Sequence, residues 1–172
     1  MVRAGTRHTV QRGTDAFESI VHDLDTPTFV VTTAAGGEQA GCLVGFASQC
    51  SMEPARFAVW LSKANRTYRV AQRATTLVVH LLRAGDHDLA QHFGGETGDD
   101  VDKFTGTAWH AGPDGCPVLD RCDWFAGSIL ERVDTGDHVA FVLEPGSGEV
   151  TRRGSPPLGI KEIGDIEPGH EP

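Results

Sequence analysis

The stretch T-F-V-V-T-T-A-A-G-G-E-Q-A-G-C-L-V-G-F-A-S-Q-C-S-M-E-P-A-R-F-A-V-W-L-S, Thr28 to Ser62, decides the fold. Thr28–Ala34 is β-branched, aromatic or small, which suits a pleated surface. Ala35-Gly36-Gly37-Glu38 reads as a turn, and strand character resumes at Gln39 and runs to Met52, which predicts a hairpin. Glu53-Pro54 breaks the chain before a third strand, Arg56–Ser62. Parallel strands need a long crossover between them, and none of these links is long enough, so the pairing is antiparallel. Gly41 and Gly45 inside the second strand mark a bulge or a close approach by another backbone or a ligand.

Outward from this series, Thr14 is placed to cap a helix with Phe17, Ile20, Val21 and Leu24 on one face, ended by Asp25-Thr26-Pro27. Met1–Gly13 is polar and expected to be frayed. Downstream, Arg66–Ala74 reads as a short helix and Thr76–Leu82, nearly continuously apolar, as a central strand. Asp86 is placed to cap a helix that ends at Gly94-Gly95, and Gly98–Phe104 reads as one more helical turn. Arg121–Asp134 and His138–Glu144 form a further hairpin, and Pro157–Ile160 a last short strand before a terminus expected to be disordered. The sum is a mainly β chain: an antiparallel barrel with a few short α-helices. Residues 1–172 read as one domain with its core at about 14–160 and flexible termini.

A formal charge of −9 argues against a nucleic-acid or anionic-membrane partner, although Arg66, Arg69 and Arg73 make a local basic patch. The four cysteines show no C-x-x-C pair, and Cys42 and Cys50 read as small buried hydrophobes. No apolar run reaches the roughly 18 residues of a membrane span, and Met1–Thr14 lacks the apolar core of a secretory signal, so the expected location is cytoplasmic. Ser48 lies in F-A-S-Q-C, not in a G-x-S-x-G elbow, and the spacing of His87 and His92 puts them on different helical faces. Neither a dinucleotide fingerprint nor a P-loop is present. Trp60, Trp109 and Trp124 read as core or interface anchors.

What remains is S-K-A-N-R-T-Y (Ser62–Tyr68), which ends a strand and opens a helix. Helix starts collect unpaired N–H groups and positive dipole charge, so Ser62, Lys63, Asn65 and Thr67, with Arg69 behind them, can cradle a phosphate. The alternative is a plain connection with Asn65 or Thr67 as N-cap. The small residues Gly45, Ala47 and Ser48 on the preceding strand would let a flat aromatic ligand lie against the backbone.

Taken in order, V-V-T-T-A-A-G-G-E-Q-A-G (Val30–Gly41), F-A-S-Q-C-S-M-E-P (Phe46–Pro54), V-W-L-S-K-A-N-R-T-Y (Val59–Tyr68), D-K-F-T-G (Asp102–Gly106), G-C-P-V-L (Gly115–Leu119) and G-D-H-V-A-F (Gly136–Phe141) resemble the flavin reductase-like family over about Pro27–Glu144. The resemblance implies an FMN-binding, antiparallel split β-barrel that forms a homodimer. It implies a flavin-facing strand at Gly45, Phe46, Ala47, Ser48, Gln49 and Cys50, and a phosphate segment at Ser62, Lys63, Asn65 and Thr67. Lys103 and Phe104, with Phe93 nearby, map close to the flavin, and His138 maps to the nicotinamide site. The expected activity is NAD(P)H-dependent flavin reduction, with hydride passing from nicotinamide to flavin and a monooxygenase or other electron acceptor as partner. Two alternatives are an FMN-binding electron-transfer protein with little turnover and a non-catalytic flavin- or haem-binding split barrel. Where relatives read T-A-S-S, this chain has Leu43-Val44-Gly45-Phe46, which leaves FMN, FAD and a deazaflavin open.

Overall fold

The computed structural model describes residues 13–167 and 169; the fraying expected before Gly13 lies outside them. After helix α1 (Gly13–Asp23) come strands β1 (Phe29–Ala35), β2 (Glu38–Val44), β3 (Ala47–Met52) and β4 (Ala55–Ser62), then helix α2 (Arg66–Ala71), strand β5 (Thr76–Leu81) and helix α3 (His87–Gly95). A small hairpin, β6 (Trp109–Ala111) with β7 (Pro117–Leu119), precedes two long strands, β8 (Asp123–Asp134) and β9 (His138–Glu149). A 3₁₀ turn, Ile160–Ile163, follows.

Seven strands form one sheet in the order β2-β1-β5-β8-β9-β4-β3, with every neighbouring pair antiparallel. Laid flat, its two edges would stand about 29 Å apart at the usual strand spacing. Yet those edges, β2 and β3, are consecutive in the chain and joined only by Gly45-Phe46, a link that spans about 11 Å at most. The sheet must therefore curl until its edges face each other. Trp60 N–H donates to Phe46 O at 2.9 Å on one side of the gap. No ladder joins β2 to β3 or β4 among the described residues, so the sheet is curled but not closed.

The expected single strand from Gln39 to Met52 is thus two strands at opposite edges. Gly98–Phe104 forms turns where a helical turn is expected, and β9 continues past Glu144 to Glu149. Cys42 is buried as expected, whereas Cys50 is exposed, because β3 has only one strand neighbour.

The apolar run of β1 reflects burial on both faces. Phe29 and Val31 point into the curl with Val59, Leu61, Leu77 and Phe141, while Val30 points outward beneath Leu89, Phe93 and Leu158. The apolar face of α1, by contrast, is uncovered: Phe17, Ile20, Val21 and Leu24 are all exposed.

His80 is fully buried. Its Nδ1 lies 3.0 Å from Val30 O, and its Nε2 accepts Leu119 N–H at 3.1 Å, so the neutral Nδ1–H tautomer ties β5 to β1 and β7. Burial pushes its pKa down to about 4, assisted by the charge of His110 and only partly opposed by the Val30 carbonyl. Between the ordinary value near 6.5 and about 4, the unfolded chain therefore binds a proton that the folded chain refuses. Stability contributed by this group is complete above about pH 6.5 and declines by about 3 kcal/mol as pH falls to 4. Urea titrations across this range should show that slope in the native protein and lose it in His80→Gln.

The segment after β9 returns across the sheet. Its start is clamped by two buried carboxylates. Asp123 accepts Thr151 N–H at 2.7 Å, Arg152 N–H at 2.9 Å and the Arg83 guanidinium at 2.5 and 3.0 Å. Asp86 stands at the N-cap position of α3 without capping it. Its carboxylate is instead turned to Arg83 N–H and to the Arg152 guanidinium, at 2.9 and 2.5 Å. Further on, Thr28 N–H donates to Leu158 O and Leu158 N–H to Leu82 O, which seats Leu158 in the core.

Candidate functional site

Two adjoining cavities open beside the gap in the sheet. The first, about 250 Å³, is apolar: the end of β2 with Gly45 and Phe46, Trp60–Ser62 from β4, Phe93 from α3, and Ile160, Ile163 and Ile166 enclose it. The second, about 530 Å³, is polar and lies between the Gly36–Gly41 hairpin, the start of α2 and the loop Gly98–Phe104. Gly98 and Lys103 line both.

Lys103 carries the unusual charge. It is 4% exposed, its Nζ donates to Phe93 O at 2.8 Å and lies 5.9 Å from the Phe93 ring centroid, and among the described residues no carboxylate pairs with it. Burial pushes its pKa down, partly offset by Cys42 and Glu96. A buried ammonium without a carboxylate is costly unless an anion arrives to compensate it. Thr67, 1% exposed, lines the polar cavity with a hydroxyl whose one neighbour is the Cys42 thiol, a weak partner that leaves it without a strong hydrogen bond among the described residues. Beside it the Cys42 thiol is pushed up by burial. Arg66 reaches the same cavity but is committed to Glu38 at 3.0 Å and Gly98 O at 2.5 Å. Arg73 and Arg66 in turn hold the Glu38 carboxyl below its usual range.

The structure brings Gly45, Phe46, Ser62, Asn65, Phe93, Lys103 and His138 to the apolar cavity, and Thr67, Lys103 and Phe104 to the polar one. Asn65 is also the N-cap of α2, its Oδ1 accepting Thr67 N–H at 3.0 Å. Ser62 Oγ accepts Ala64 N–H at 3.3 Å. Phe46 is half exposed and meets His138 edge-on at 5.3 Å, so the pair forms one rim. Lys63 lines neither cavity; its Nζ pairs with Asp134 at 2.7 Å. Ala47, Ser48, Gln49 and Cys50 also lie outside both, on β3, where Ser48 and Gln49 bond to neighbouring carbonyls. The residues that reading the sequence missed are the three isoleucines of the 3₁₀ turn and its exit. Their signal was present: in G-I-K-E-I-G-D-I (Gly159–Ile166) an apolar residue returns at every third position among charges.

A curled antiparallel sheet thus carries an apolar cavity beside a polar one, with a buried ammonium where the two adjoin. The model of the flavin reductase like domain matches residues 21–162, and the chain belongs to that family. It is 30% identical over 130 residues to the FMN reductase (NADH) RutF of Pseudomonas syringae, covering 75% of this chain and 72% of that one. It is 28% identical over 127 residues to HsaB, the reductase subunit of a flavin-dependent monooxygenase of Rhodococcus jostii, covering 73% and 64%. The solved structure of a flavin reductase domain protein from an Arthrobacter species superposes with a TM-score of 0.77 at 22% identity, covering 87% of this chain and 91% of that one. Against three further relatives the chain spans only 36%, 50% and 61% of their length. Among the described residues, no helix is long and apolar enough to cross a membrane.

Proposed function

We propose that residues 1–172 form one flavin reductase domain that binds FMN and uses NADH or NADPH as reductant. The observation that carries the reading is the buried Lys103 ammonium, which has no carboxylate within ion-pairing distance among the described residues, at the junction of an apolar and a polar cavity, with the Thr67 hydroxyl on the polar side. These residues fit FMN: the phosphate supplies the missing charge and acceptors, and the apolar cavity takes the ring. Bound flavin supplies the two-electron redox chemistry. The chain's own part is to hold the phosphate with Lys103 and Thr67, to exclude water with Leu43, Phe93 and the isoleucines, and to leave the Phe46–His138 rim open to the nicotinamide. Ser62 and Asn65 border the same space, and the larger polar cavity leaves room for FAD.

The curled, unclosed sheet supports the finer description of the fold as a split β-barrel of the FMN-binding type. The uncovered apolar face of α1 supports pairing of two copies, and the likeness to HsaB supports a monooxygenase partner for the reduced flavin. Four unpaired thiols suit a reducing, cytoplasmic compartment. Purified protein should consume NADH or NADPH, followed by loss of nicotinamide absorbance, when FMN is supplied and not without flavin. No consumption with FMN, FAD or a deazaflavin would overturn the proposal. Tight FMN retention without turnover would point instead to an electron-transfer role.

A further inference from the structure

We infer that Ile160 is a specificity-determining residue, the wall that sets how bulky a ring the apolar cavity admits; this rests on the proposal that the cavity holds the flavin ring. Gly45 lines the cavity in contact with the first residue of the 3₁₀ turn. A Cβ placed on it would stand 2.6 Å from Ile160 Cδ1 and 3.6 Å from Cγ1, so the tip of Ile160 occupies the room that any side chain at position 45 would need. The two residues form one complementary pair at the mouth of the gap between β2 and β3.

That wall is held from behind. Thr26 O accepts Ile160 N–H at 2.8 Å while Thr26 Oγ1 donates to Gly45 O at 3.3 Å, so one residue fixes both partners. The next residue is tied as well: Lys161 N–H donates to Asp25 Oδ1 at 3.1 Å and Lys161 Nζ to Asp23 O at 2.9 Å. Upstream, Leu158 is locked between β1 and the end of β5, and the Asp86 and Asp123 clasp holds residues 151–152. The backbone of Ile160 cannot retreat without breaking these bonds, so only rotation of its side-chain tip is left to yield space. The cavity, about 250 Å³, is also smaller than the roughly 300–1,000 Å³ of most small-molecule sites, so a single branched side chain is a large share of its lining. One methylene more or less in such a slot discriminates by about 10- to 200-fold.

The test compares equilibrium binding of three probes, each followed by isothermal titration calorimetry: FMN, roseoflavin mononucleotide with added bulk at the benzenoid end, and an FMN alkylated at N3 with added bulk at the pyrimidine end. In the wild-type protein both analogues should bind more weakly than FMN. Ile160→Ala should improve at least one analogue relative to FMN by about 10-fold or more, and Ile160→Val should shift the same ratio part of the way. Gly45→Ala should weaken FMN itself. Should Ile160→Ala unfold, the Ile160→Val ratio decides alone. If wild-type protein binds FMN but neither substitution moves either ratio, the assignment of Ile160 is wrong while the flavin site stands. If wild-type protein binds none of the three, the flavin reading fails and this inference with it.

Discussion

Replacing Lys103 with methionine should raise the Kd for FMN by about 10- to 100-fold and leave the ligand-free protein as stable as before or more so. The two halves of this result have opposite signs for one reason. Without ligand, the ammonium is buried against a single carbonyl and one aromatic ring, with burial pushing its pKa down, so it is a cost carried by the folded chain. Exchanging a buried, poorly compensated charge for an apolar side chain of similar length is neutral or stabilising. With FMN bound, the same ammonium makes a charge-assisted hydrogen bond worth about 1.5–3 kcal/mol, which is the stated change in Kd. Thermal melts of the ligand-free variant and a fluorescence titration with FMN measure the two halves separately. A structural lysine would give the reverse pattern: a lower melting point and an unchanged Kd.

Asp123→Ala should cost about 3–5 kcal/mol of stability, as much as truncating a large core side chain. The substitution strands the Arg83 guanidinium, which is largely buried and keeps only Ser155 O, and orphans the N–H groups of Thr151 and Arg152. Burial alone would raise the pKa of Asp123, but the Arg152 N–H, the Arg83 guanidinium and the Thr151 N–H outweigh it and pull it down to about 2. The sign of the pH dependence follows. Because the folded pKa lies below the unfolded one, near 3.8, this contribution is present above about pH 4 and is lost as pH falls toward 2. That window sits below the one governed by His80, between 6.5 and about 4, so acid unfolding should proceed through two separable slopes. Chemical denaturation of Asp123→Asn should reduce the lower slope, which Glu38, Asp86 and other carboxylates held below their usual range also feed, and leave the upper one. Because the clasp also anchors the segment bearing Ile160, Asp123→Ala should weaken FMN binding without touching either cavity.

Much of the sheet was legible because its determinants are local. Val30 and Val31 are buried on opposite faces, so β1 reads as a continuous apolar run, and Gly36 and Gly37 adopt the positive φ values of +61° and +80° that the hairpin turn needs. The division between β2 and β3 was not legible. Gly45-Phe46 carries no proline, and its lone glycine reads equally as a bulge, so only the curl of the whole sheet decides that these residues cross from one edge to the other. The β6–β7 hairpin escaped for a similar reason, with two three-residue strands around a turn in which Asp114 and Gly115 take positive φ. Within the site, Lys63 and Lys103 look alike in sequence, each in a polar segment. Packing of α3 and Phe93 buries one, while the other reaches solvent and Asp134. Asn65 was legible as a cap because that hydrogen bond spans two residues, whereas the cavity wall at Ile160 depends on contacts with Gly45 and Thr26, more than a hundred residues away.

When FMN binds, an anion should settle against Lys103 while an aromatic ring fills the slot beside Gly45. A crystal structure of the protein grown with FMN tests it most directly. It should show a phosphate oxygen within hydrogen-bonding distance of Lys103 Nζ or Thr67 Oγ1, and the ring enclosed by Gly45, Phe93 and Ile160. A phosphate at Lys63, or a ring resting on the outer surface of β3 at Ser48–Cys50 with Lys103 still facing only protein, would contradict it.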